Sequence, residues 1–200
     1  MTKLWSEGCV TIHIYTSEYK VVLLLYPATD HNGQFVVVSS VKNKGWQKVP
    51  FPYNFATSRA GVSFNNTLHW IVSDIKLFWG KSDDQIKWDY CSGCNKIVYF
   101  DPVDDTFKIL PSPTRINPKE EDNIEGTGII DGCFCMARGD KKSQLIHVSV
   151  MKEYGKQESW VTYFVITLYE HGVRELYNFE FFSHNGKVLM KGCYIGRTCV

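Results

Sequence analysis

Two hundred residues, 44% of them hydrophobic and 22% charged, are enough for one domain with a real core. A formal net charge of +1 excludes a long-range field that would draw in nucleic acid or an anionic membrane, so a partner must be read from local features. The longest apolar run, Val21 to Tyr26, is far too short to span a bilayer, and the stretch up to Tyr15 lacks an apolar core behind basic residues; the chain reads as soluble and intracellular.

Strand patterns run along most of the sequence and no window of about a dozen residues has helical apolar spacing, which predicts an all-β fold. After "VTIHIYTSEYKVVLLL", the segment "QFVVVSSVKNKGWQKV" gives a strand, a polar bend with Gly45, and a return through Trp46. Val62 and Phe64, then Leu68, Trp70 and Val72, alternate with polar or small neighbours about Asn65 and Asn66. Both asparagines tolerate positive φ, so this is a hairpin.

A second strand pair, "KIVYFDPVDDTFKIL", follows from Lys96 to Leu110, with Pro102, Asp101, Asp104 and Asp105 supplying ordinary turn chemistry. Ile129, Ile130, Asp131, Gly132 and "CFCMA" repeat the hairpin, and Leu145 to Ile166 repeats the second pair. In this copy the polar run after Met151 is a surface connection and Trp160 re-enters the core; Trp46 holds the corresponding place in a shorter, earlier copy. A third hairpin spans Phe179 to Met190 about Asn185 and Gly186. The turn residues Asn66, Asp131 and Asn185 lie 65 and 54 residues apart, which points to repeated four-stranded antiparallel units within a single domain over 1–200. Stacked radially, such units make a β-propeller.

Seven cysteines, an odd set without a secretory signal, argue for reduced thiols in the cytoplasm or nucleus. There the "NNT" at Asn65 is no glycosylation site, and "RGD" at Arg138 to Asp140 is expected to be a turn. "CSGC" (Cys91, Cys94) with "CFC" (Cys133, Cys135) could offer four thiolates to zinc, but alternation on a strand equally makes Cys133 and Cys135 two small core residues with Phe134 opposite. No metal or cofactor is assigned. "GTGIIDG" lacks the helix that a phosphate-cradling loop opens, and G-x-S-x-G and H-E-x-x-H are absent. The six histidines are scattered singly, and His69 and His147 are expected on a less buried strand face. No catalytic constellation assembles. "NPKEEDNIEG", Asn117 to Gly126, has a disordered composition. The segment "DIKLFWGKSDDQIKWDYCSGC" is different: Phe78, Trp79, Trp88 and Tyr90 sit among charges, the composition of a partner-binding hot spot or of a cover for a sheet edge.

"YKVVLLL", "GVSFNNTLHWIV", "KIVYFDPVDDTFKILPSP" and above all "VMKEYGKQESW" (Val150 to Trp160) resemble successive signatures of the F-box-associated domain of plant F-box proteins, over about Tyr19 to Leu189. The resemblance implies a propeller-like all-β domain with kelch-like repeats that recruits a protein substrate to a cullin-based ubiquitin ligase and has no catalytic residues of its own. No F-box precedes "VTIHIY" and the sequence stops at "GCYIGRTCV", so the array is expected to be incomplete, and a Skp-type adaptor is expected as a partner only if an F-box lies upstream. The alternative is a propeller-type carbohydrate-binding protein or glycosidase, which would need convergent acidic residues at one end of the propeller.

Overall fold

The computed structural model describes residues 5–15, 18–27, 35–40, 42, 45–55, 61–73, 94–113, 122–140, 145–167, 177–184 and 187–193. Among these the architecture is all-β: fifteen strands, one short 3₁₀ turn, and no helix long and apolar enough to cross a membrane. The strands form three sheets, none closed on itself, and the chain divides into two compact units.

The first unit runs through the first seven strands and takes in Ile97–Ile109. Its first sheet follows chain order, β1 (Trp5–Tyr15), β2 (Glu18–Pro27), β3 (Phe35–Ser40) and β4 (Gln47–Val49), all antiparallel. Its second sheet has the order β5 (Asn54–Phe55), β7 (Thr67–Ser73), β8 (Cys94–Asp101), β9 (Thr106–Leu110), and β6 (Val62–Phe64) also pairs with β7. Alternation sends Val22, Val36, Val38 and Val49 of the first sheet and Leu68, Trp70, Val72, Val98 and Phe100 of the second into one buried cluster. Phe107 completes it, with ring centroids 4.7 Å from Phe51 and 5.8 Å from Trp70.

The hairpin turns obey the backbone rule expected of them. Asn65 and Asn66 have φ of +48° and +56° between β6 and β7, and Asp105 has +55° before β9. His69 departs from expectation. It is buried, because every residue of β7 is buried and the strand has no solvent face. Its Nδ1 lies 3.2 Å from the Val62 carbonyl, and Tyr99 and Phe64 flank the ring. Trp46 also departs: it is 55% exposed. Val49 faces the core opposite Val36, but Trp46 precedes the three paired residues of β4 and is exposed, as are Gln47 and Lys48.

The second unit holds a six-stranded sheet, in the order β13 (Trp160–Thr167), β12 (Leu145–Met151), β11 (Cys133–Asp140), β10 (Asp122–Ile130), β14 (Tyr177–His184), β15 (Lys187–Cys193). Strands β10 to β13 make a four-stranded antiparallel meander. Its first turn has Asp131 and Gly132 at φ +48° and +72°. The third hairpin, β14 with β15, does not start a separate sheet; β14 pairs in parallel with β10, Gly126 opposite Phe179. Its turn, Asn185 and Gly186, lies outside the described residues. Two local expectations change as well. Arg138 to Asp140 is strand, not turn, and Asp122 to Gly126, within the segment of disordered composition, forms the start of β10. Pairing along β11 supplies the backbone bonds that composition alone could not foresee.

Candidate partner-binding surface

Phe78, Trp79, Trp88, Tyr90 and Cys91 lie outside the described residues; for Cys94 only the backbone, at the start of β8, is described. What the structure does place on the surface is the hairpin of β12 and β13. Between them, the polar run is a built feature. The Lys152 N–H donates to the Ser159 carbonyl at 3.1 Å, the Lys156 N–H to the Glu153 carbonyl at 3.1 Å, and the Ser159 N–H to the Lys156 carbonyl at 3.2 Å. The Ser159 hydroxyl lies 2.7 and 2.8 Å from the Glu153 and Lys156 carbonyls, which share its one proton. Gly155 turns the chain at φ +82°, and its N–H reaches the Met151 sulfur at 3.0 Å. Lys156 pairs with Glu153 at 2.5 Å, and that carboxylate raises the pKa of the Lys156 ammonium. The connection thereby satisfies its own backbone groups while its side chains stay in water.

It delivers Trp160 into the core, as the sequence predicts. The indole lies edge-on to Phe134 with centroids 6.4 Å apart. Beyond Trp160 the strand changes character. Val161, Tyr163 and Val165 are 43%, 44% and 47% exposed. β13 carries no charged residue, and among the described residues it pairs with β12 alone. A bulge between Val148 and Ser149 on one side and Phe164 and Thr162 on the other leaves Tyr163 as the extra residue. Its ring centroid is 5.7 Å from that of Phe164, and its hydroxyl donates to Asp131 Oδ2 at 2.6 Å; that hydrogen bond and the carboxylate charge raise the phenol pKa. An uncharged, partly exposed end strand is a place where another chain can add by strand pairing. The sequence signal for this surface is "WVTYFVIT", an uncharged strand in which Val161, Tyr163 and Val165 turn outward after Trp160.

The remaining candidates resolve into structural roles. Asp101, Asp104 and Asp105 are each held by a cation: Lys108 lies 2.5 Å from Asp101 and 3.0 Å from Asp104, and Lys20 lies 2.6 Å from Asp105. Asp101 also accepts the Val103 N–H at 2.9 Å, and Lys20 also donates to the Pro102 carbonyl at 2.7 Å. The Thr106 hydroxyl, then Lys108, lower the pKa of Asp104. These are the contacts of a tied turn. Cys133 and Cys135 face one way, toward Ile130, Ala137, Ile146, Val148 and Val150, and Phe134 faces the other. Burial pushes the Cys135 thiol up to about 12, so it is a neutral thiol packed as a small hydrophobe.

No protein-family model matches the chain. The chain is 25% identical over 170 residues to the F-box protein CPR1 of Arabidopsis thaliana, across 76% of this chain and 38% of that protein. The chain thus spans well under half the length of the relative it matches, and the likeness relates it distantly to F-box proteins.

Proposed function

We propose that this chain is a non-catalytic, protein-binding module of the F-box-associated type, which recruits a protein substrate to a cullin-based ubiquitin ligase. The observation that carries the proposal is the 25% identity to an F-box protein over 76% of the chain. The antiparallel meanders β1 to β4 and β10 to β13 support a propeller-like array of kelch-like units within one domain. The alternative, sugar binding or glycoside hydrolysis, would require acids that converge on a substrate, whereas Asp101, Asp104 and Asp105 are held by Lys108 and Lys20. Two surfaces are assigned to the partner: the outer strand β13, and the aromatic segment with Phe78, Trp79, Trp88 and Tyr90. A cytoplasmic or nuclear setting follows from the same proposal.

The test is affinity purification after crosslinking in plant cells, of the chain alone and of the chain fused behind an F-box. Both baits should capture the same small set of proteins. Only the fusion should add a Skp-type adaptor and a cullin and lower the level of the captured proteins in a proteasome-dependent way. Capture by both baits without any fall in level would remove the ligase assignment. Absence of a shared captured set would remove the binding assignment.

A further inference from the structure

Lys42, Trp46 and Lys48 are all exposed, Trp46 directly before β4, the last strand of the first sheet, and Lys48 within it. Residues 31–73 contain three lysines and one arginine and no aspartate or glutamate, a one-sided segment in a chain whose formal net charge is only +1. Among the described residues no carboxylate pairs with Lys42 or Lys48. Lys48 is held instead with its Nζ 4.8 Å from the centroid of Phe35, over the ring. A cation over an aromatic face is pre-positioned without being neutralised, so it keeps its charge for a partner. The pairing of β3 with β4 and of β2 with β3 continues this outer face inward: Lys48 lies opposite Val37, and Val37 opposite Leu23, both half-buried.

An exposed indole is a common anchor of an interface hot spot, and the Lys48 ammonium and half-buried Val37 and Leu23 beside it supply a charge that sets partner choice and some apolar surface. We propose that Trp46, Lys42 and Lys48 form a docking corner for an extended acidic segment of a protein partner. In it an apolar side chain covers the Trp46 indole, and carboxylates meet Lys48 and Lys42. Charge complementarity selects the class: the partner's acids supply what residues 31–73 lack. Phosphate-bearing surfaces are a poorer match, because nucleic acid or an anionic bilayer is held by a broad array of cations and a field that a net charge of +1 does not give. The inference goes beyond ligase recruitment and stands without it, since it concerns only which chemistry this corner selects.

The experiment selects binders from a displayed library of random peptides with the unaltered chain, then repeats the selection with Trp46→Ala and with Lys48→Glu. The expected pool is rich in Asp and Glu interleaved with large apolar residues. Each substitution should weaken the best peptides by about tenfold or more, and added salt should weaken wild-type binding. Circular dichroism checks that both variants, altered only at exposed positions, keep the strand spectrum. A neutral or basic pool, no enriched pool, or an acidic pool that binds both folded variants unchanged would overturn the proposal. So would tighter binding of a single-stranded oligonucleotide or of phosphatidylserine vesicles, lost in the same variants.

Discussion

Trp160 and Pro111, 49 residues apart in sequence, meet where the indole Nε1–H donates to the Pro111 carbonyl at 2.7 Å. The bond ties the segment that follows β9 to the start of β13, and the indole also meets the ring of Phe134 edge-on. Packing and hydrogen bonding can be separated here. Trp160→Ala loses a buried aromatic and should cost about 3–5 kcal/mol. Trp160→Phe keeps most of the packing and strands the carbonyl, which should cost about 1–3 kcal/mol. Urea midpoints of the two variants measure both: a Trp160→Phe loss near zero would show that the bond contributes nothing, and equal losses would show that the bond, not the packing, carries the effect.

Gly155 turns the polar connection at φ +82°, and a Cβ there would meet nothing within 4 Å. The cost of Gly155→Ala is therefore conformational alone, about 1–2 kcal/mol for a left-handed L-residue, less about 0.4–1 kcal/mol for stiffening the unfolded chain. Gly45 also has open space around its Cβ and carries no left-handed φ, so Gly45→Ala should be neutral or stabilising. Thermal melts of the pair should move in opposite directions, or Gly155→Ala alone should fall.

Much of the local fold was legible because it rests on nearest-neighbour rules. Asn65, Asn66, Asp131 and Gly132 sit in the left-handed turns their chemistry favours, and Trp160 is core. What failed depends on distant partners. Burial of His69 follows from β7 being buried along its whole length, on both of its faces, and the strand conformation of Arg138 to Asp140 follows from its pairing with β10 and β12. Trp46 differs because β4 is only three residues long and pairs from Gln47 on, so the tryptophan ahead of it is not carried into the sheet. The exposure of Val161, Tyr163 and Val165 depends on which strand ends the sheet, a property of the assembled sheet and not of the segment.

Burial raises the Cys135 thiol from an ordinary 9.0 to about 12, and this sets a pH window. Below about pH 9 the thiol is protonated in both states and has no effect on the balance. Between about pH 9 and about pH 12 the unfolded thiol ionises while the folded one keeps its proton, so stability falls with rising pH, by up to about 1.4 kcal/mol per unit. Chemical denaturation of wild type and Cys135→Ala across this range should show the steeper loss in wild type. Parallel losses would mean that the thiol reaches solvent. Alkylation mapped by mass spectrometry should likewise mark the half-buried Cys133 before the fully buried Cys135.

Among the described residues β13 is the end strand of its sheet. Natural end strands are commonly blunted by lysine, proline or a bulge, and this one has the bulge at Tyr163 but no charge between Trp160 and Thr167. Val161 and Val165 flank the bulge, exposed, so that either side of it offers β-branched surface to an incoming strand. The isolated protein should therefore self-associate as its concentration rises. Val161→Lys with Val165→Lys should leave the strand spectrum and the Trp160 environment unchanged, because both side chains already reach water. The double variant should remain monomeric in sedimentation velocity at concentrations where wild type associates. Association that persists in a folded double variant would place the contact elsewhere, and a wild type that stays monomeric throughout would show that the bulge alone is enough to protect the strand.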